Sequence, residues 1–296
     1  MKEEEKPLRQ ARLYLDRRNA RGRVLMAMVM GSQAYNLAHE GSDYDYMGVF
    51  LAPSEELLSL NGPPADCLNH LPGEPEPDIT LYEAKRFCQL LLAGNPFMME
   101  IVFANVAEML RLGTIEFDEG SEWRQIFLDE TFQQSLLTQK AIIGYLDYIK
   151  SQIKQAKRKK RLKGKRIYHT LRLLWEAERL LKGKRPKVWL REGSRKREEL
   201  VRIRQEEVEP RSVVERVEER VQRIQAFIAQ EEGKRKGQEE EQKQRDDEEV
   251  EERMKEAGDE EERKWRWREL PVCTEETVLN EWLVELRTTQ FLGDKR

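Results

Sequence analysis

From Val24 to Met30 every residue is apolar, VLMAMVM, and Gly31-Ser32 then stops the run. An unbroken apolar run of this length suits a strand buried on both faces or a segment of buried helix, and the glycine-serine stop decides for the strand. A short helix is expected after Ser32, followed by a second strand through Ser42–Phe50. In that strand successive side chains point to opposite faces, so Asp43 and Asp45 share one face while Tyr44 and Tyr46 turn into the fold. Upstream, Leu8, Ala11, Leu13 and Leu15 predict a helix over 6–20. Downstream, the proline- and glycine-rich stretch 61–78 reads as a surface loop, and Pro77–Tyr82 as a further short strand.

Ala84, Phe87, Cys88, Leu91 and Leu92 keep a helical period up to a Gly94-Asn95-Pro96 break. Phe97, Met98, Ile101 and Phe103 belong to core packing in the next helix, with Asn95 and Glu100 as secondary candidates for substrate contact. From Thr131 the pattern is wholly helical. Leu136, Ile143, Leu146 and Ile153 mark the face of one long helix, and Ile167, Leu171, Leu174 and Leu181 that of a second. Val213, Val217, Val221, Ile224 and Phe227 mark a third. A last helix, with Val278, Leu279, Trp282, Leu283 and Leu286, is expected to dock on the helical domain.

Composition changes this picture in two places. Charged residues make up 37% of the 296 and hydrophobic residues 39%, so part of the chain must lie outside any core. That part is the run from about 231 to 264, almost without apolar side chains, which reads as a charged insertion, disordered or a solvated helix. Three scattered cysteines, Cys67, Cys88 and Cys273, argue against a disulfide framework or a cysteine zinc site. MKEEEKPLRQ does not read as a secretory signal, and no apolar run approaches a membrane span. A soluble, intracellular and cytoplasmic protein is expected.

The candidate chemistry lies between Gly31 and Asp45. Gly31 lets a ligand approach the backbone, and Ser32 at a helix start would help seat an anion such as a triphosphate. Two aspartates on one strand face can share divalent metal, and hard oxygen donors favour Mg²⁺. An isolated pair of this kind is better read as solvated residues on an edge strand, and it is the apolar strand and Gly31-Ser32 turn shortly before it that weaken that reading. Asp78, entering the Pro77–Tyr82 strand, is the candidate third carboxylate for metal binding or as general base, with Glu83 as a rival and a plain turn residue as the alternative.

Met30-Gly31-Ser32 followed by Asp43-Tyr44-Asp45-Tyr46 resembles the hG[GS]…Dh[DE]h pattern of the nucleotidyltransferase superfamily of DNA polymerase β. The wording GSxAYxLxxxGSDYDxxGVF and the later LLxGNPxxxEIVF are similar to the RNA-ligase-associated branch of predicted nucleotidyltransferases. Asn36 stands where that branch more often has glycine. The resemblance implies a small mixed α+β sheet with flanking helices over 1–128 and an all-helical domain over 129–296. It implies catalysis with Mg²⁺ or Mn²⁺ held by Asp43, Asp45 and Asp78, with Gly31, Ser32 and Ser42 binding the nucleotide. Lys165, His169 and Arg172, at i, i+4 and i+7, resemble the branch's KxxxHxxR helix, which would present them to nucleotide phosphates.

Between Lys150 and Arg204 basic residues outnumber acidic ones several-fold, with Tyr168, His169, Trp175 and Trp189 interleaved. Such a stretch is either a phosphate-contacting surface with stacking aromatics, fit for RNA, or a solvated helical face. Two functions remain. One is an enzyme that transfers a nucleoside monophosphate from an NTP to an acceptor hydroxyl. The other is a catalytically silent relative that holds nucleic acid or a partner as a scaffold. An intact Asp43/Asp45 pair favours the enzyme, since a retired site has no need of two carboxylates that repel each other.

Overall fold

The computed structural model describes residues 2–57, 59–60, 65–71, 73–74, 77–119, 123–158, 164–244, 265–272 and 276–293. The chain divides into two compact units. The first is built from Met1–Leu136, Pro186–Glu199 and Cys273–Arg296, the second from Leu137–Arg185 and Leu200–Val272.

The first unit is a mixed α+β fold around a five-stranded sheet. Its strands are β1 (Arg23–Val29), β2 (Tyr46–Leu51), β3 (Cys67–Asn69), β4 (Ile79–Glu83) and β5 (Ile115–Phe117), in the order β3-β4-β2-β1-β5. β2 pairs antiparallel with β1 and parallel with β4. The apolar run forms β1 as expected, and β2 beside it is buried throughout. One face of the sheet packs on the helix Pro7–Arg17, with Ala11, Tyr14 and Leu15 against Val24, Ala27, Tyr46, Phe50 and Ile79. Gly48 leaves room on this face for the neighbouring strand, because a Cβ there would meet Leu81 Cδ2 at 2.8 Å and the Met26 carbonyl at 3.1 Å. Met26, Met28, Met47 and Val49 are buried as well.

Three expectations change. The loop 61–78 contains β3, a strand of three residues that pairs with β4. After Ser32 there is no helix: residues 31–36 form consecutive turns. The helix Glu276–Gly293 packs on the sheet unit, where Trp282 meets Trp123 at 4.4 Å between ring centroids and Arg287 pairs with Glu83.

In the second unit the helices Gln139–Lys157, Gly164–Leu181 and Pro210–Gln244 carry the predicted apolar stripes. Leu146 and Ile153 are buried, but Ile143 points outward, and the inner face runs instead through Ile142, Tyr145 and Ile149. Leu136 precedes that helix, which starts after the N-cap Thr138. Val213, Val217, Val221 and Ile224 bury the third stripe. Helix Pro210–Gln244 enters the stretch read as an insertion, whose remainder, 245–264, lies outside the described residues.

Candidate functional site

Strand direction gathers the motif residues at one end of the sheet. β1 runs out at Val29 where its antiparallel partner β2 begins at Tyr46, and β4, parallel to β2, begins at Ile79 opposite Tyr46. Gly31, just after β1, Asp45, just before β2, and Asp78, just before β4, therefore lie together there, with Ser32 and Asp43 further along the same connecting segments. Met30 N donates to the Asp45 carbonyl at 2.7 Å, and Tyr46 N donates to the Asp78 carbonyl at 2.8 Å. Asp45 and Asp78 are thus neighbours in register. The aspartates precede the strands and do not lie in them.

The tyrosines behave as the alternation requires. Tyr46 is buried, Tyr44 packs against the same cluster, and their rings lie 6.3 Å apart. Burial pushes the Tyr46 hydroxyl up to about 12, and it donates to the Glu5 carbonyl at 2.8 Å. By the same alternation Asp45 continues the face of Met47 and Val49. Asp43 and Asp78 are exposed and Asp45 is half-buried. Ser42 N donates to the His39 carbonyl, and Ser42 Oγ accepts from His39 N, both at 2.9 Å, so this serine closes the loop that leads to Asp43.

Gly31 adopts φ +66°, and a Cβ on it would lie 2.8 Å from Asp45 Oδ2. The glycine therefore turns the chain and also makes room for the carboxylate. The turns that follow close through Asn36 N to the Gln33 carbonyl at 3.2 Å and Leu37 N to the Ser32 carbonyl at 2.8 Å. Asn36 takes φ +57°, a conformation that asparagine tolerates better than most residues, which accounts for its place at a position where glycine is expected.

Residues from far along the chain hold these turns. Tyr35 OH donates to the buried Glu100 at 2.7 Å. Leu190 N donates to the Tyr35 carbonyl at 3.2 Å, Asn36 Nδ2 donates to the Leu190 carbonyl at 2.9 Å, and Arg197 Nε donates to the Asn36 carbonyl at 2.8 Å. Leu190 and Arg197 lie in the basic stretch, where Gly183 and Pro186 signal a break from the helices but not where the chain goes next. Asn95 is an N-cap, accepting from Phe97 N and Met98 N. Glu83, the rival third carboxylate, lies at the far end of β4 from Asp78. It is buried, caps the next helix through Lys85 N, accepts from Ala52 N and pairs with Arg287. These partners give it a structural role.

Among the described residues no group of three or more His, Cys, Asp and Glu stands close enough to form a ready-made metal cage. The donors at the sheet end nevertheless fit Mg²⁺ chemically. That ion commonly takes one or two protein carboxylates and completes its shell with water and substrate phosphates.

Lys165, His169 and Arg172 lie on the helix Gly164–Leu181 of the second unit. Lys165 is exposed and Arg172 buried. Burial first, and then the charges of Arg172, Lys165 and Arg204, push His169 down to about 3. His169 is therefore a neutral hydrogen-bonding group at pH 7, and the positive charge of this face comes from its neighbours. Tyr168 and Trp175 are buried, so neither is placed to stack on nucleic-acid bases.

No curated protein and no solved structure matches the chain. A family model, RlaP, described as the RNA repair pathway DNA polymerase beta family, matches residues 8–256. That span includes the glycine-serine turn, all three aspartates and the basic helix. The chain belongs to the RNA repair pathway DNA polymerase beta family.

Proposed function

We propose that the protein is a nucleotidyltransferase that moves a nucleoside monophosphate from an NTP to an acceptor hydroxyl, with RNA as the acceptor. The observation that carries this reading is the meeting of Gly31, Asp45 and Asp78 at one sheet end, in a chain of this family. Gly31 and Ser32 border the triphosphate, and Asp43 and Asp45 hold Mg²⁺ or Mn²⁺. Asp78, in register beside Asp45, either joins them or accepts the proton of the acceptor hydroxyl. The bound metal supplies charge stabilisation at the phosphates and activation of the attacking oxygen. The protein's own part is to orient the acceptor and the phosphate chain and to keep carboxylates where charge is handled.

The exposed Lys154 and Arg158, on and just after the helix Gln139–Lys157, offer phosphate contacts for the RNA. With Tyr168 and Trp175 buried, the stacking part of a nucleic-acid scaffold role is left to the partly exposed Trp189 and His169.

The test is turnover of an α-labelled NTP with an RNA acceptor in Mg²⁺ or Mn²⁺. Asp43→Asn and Asp45→Asn should each abolish transfer while leaving the unfolding transition in place. Wild-type turnover in both variants would remove the metal assignment.

A further inference from the structure

Arg197 is tethered to the glycine-serine turns from a segment some 160 residues away in sequence. Its Nε donates to the Asn36 carbonyl at 2.8 Å. Its backbone N donates to Ser194 Oγ at 3.4 Å. The side chain is half-buried, and among the described residues no carboxylate pairs with its guanidinium. Other arginines of this unit do have such partners: Arg12 and Arg23 pair with Asp118, Arg86 with Asp66, and Arg287 with Glu83. Arg197 also occupies the first turn of the helix Arg195–Arg204, where a cation opposes the helix dipole. Local helix stability therefore does not explain it. A partly exposed guanidinium that spends Nε on the Asn36 carbonyl keeps terminal N–H donors with which it can meet an anion from outside.

We propose that Arg197 is a positioning and specificity-determining residue of the nucleotide site. One guanidinium N–H fixes Asn36 and thereby the turns that begin at Gly31. The positive charge brought with it favours a multiply charged phosphate chain, so the site takes nucleoside triphosphates in preference to monophosphates. The planar guanidinium suits both tasks at once, since it donates to a carbonyl through Nε and still presents two terminal amino groups. This inference rests on the nucleotide reading of the Gly31–Ser32 turn and extends it to a segment that the motif does not include.

Two measurements on the full chain separate the inference from that reading. Amide hydrogen exchange without ligand, followed at Asn36, Leu37 and Leu190, reports the clamp by itself. Calorimetric titration with ATP and with AMP reports the charge. Arg197→Ala should speed exchange at those amides and weaken ATP binding roughly tenfold or more, with a smaller effect on AMP and an unchanged thermal midpoint. Arg197→Gln, which keeps a side-chain donor without the charge, should hold exchange near the wild-type rate and still lose ATP affinity. Unchanged exchange in Arg197→Ala would overturn the positioning role. Faster exchange with unchanged ATP affinity would overturn its service to a nucleotide. A wild-type protein that binds neither ATP nor AMP would count against the nucleotide reading itself, while the exchange rates would still decide whether Arg197 clamps the turn.

Discussion

Gly31 and Asp45 stand so close that a Cβ on the glycine would lie 2.8 Å from Asp45 Oδ2, while the glycine turns at φ +66°. Gly31→Ala therefore does two separate things. It places an L side chain in left-handed backbone, costing about 1–2 kcal/mol of stability, and it pushes the carboxylate out of place. A shift of about 1 Å in a reacting group costs on the order of 100-fold in rate. Labelled-NTP turnover should fall by that order while urea unfolding shows only the modest backbone cost.

The Glu83–Arg287 pair predicts a larger effect on stability from a residue far from the site. Arg287 also donates to the Ala52 carbonyl at 2.7 Å, and Glu83 is 3% exposed. Arg287→Ala leaves a buried carboxylate without its cation and should cost about 3–5 kcal/mol in urea unfolding. Glu83→Gln combined with Arg287→Met removes both charges and should recover part of that stability. A double variant as unstable as Arg287→Ala would mean that packing of the helix Glu276–Gly293, and not the ion pair, holds it.

His169 predicts a pH dependence with a definite sign. Its folded-state value, near 3, lies below the ordinary 6.5 of an unfolded histidine. Between these values the unfolded chain binds the extra proton, so this group's contribution is complete above about pH 6.5 and declines as pH falls toward 3. The slope from one such group is at most about 1.4 kcal/mol per pH unit. His169→Gln should flatten the fall in urea midpoint between pH 6.5 and 4 relative to wild type. Parallel curves would show that His169 is not held neutral.

The basic helices separate surface from core. Replacing Lys154 and Arg158 with alanine should weaken single-stranded RNA binding across sequences and flatten the slope of log affinity against log salt by roughly 0.7 for each phosphate no longer neutralised. Trp175→Ala should instead cost about 3–5 kcal/mol of stability, because the ring is buried. RNA affinity insensitive to salt in the wild type would move the acceptor to another chemical class.

Period and punctuation alone determined several features. Seven apolar residues ended by Gly31-Ser32 specify β1, and Tyr44 and Tyr46 turn into the core as the alternation requires, although β2 itself begins only at Tyr46 and the two aspartates lie ahead of it. These are local properties of the backbone, legible without knowing what lies across the sheet. The stripes on Gly164–Leu181 and Pro210–Gln244 were legible for the same reason, since helical period survives any partner. In Gln139–Lys157 the stripe was misplaced at Ile143, because isoleucines at 142 and 143 differ only in which one the neighbouring helices cover.

What only tertiary structure decided depends on pairing at a distance. β3 and β5 have three residues each, too few to show a period, and exist because β4 and β1 offer them edges to pair with. Asp78 becomes a neighbour of Asp45 through the parallel register of β2 and β4, across a loop whose length says nothing about that register. Glu83, five residues on, has the same chemistry as a carboxylate, and only the fold shows it to be a cap and ion-pair partner at the opposite end of the strand. Arg197 was one basic residue among many until the chain brought it back to Asn36. A side chain's charge is written in the sequence, but whether another charge meets it, or a carbonyl 161 residues away, is set by where the fold returns the chain.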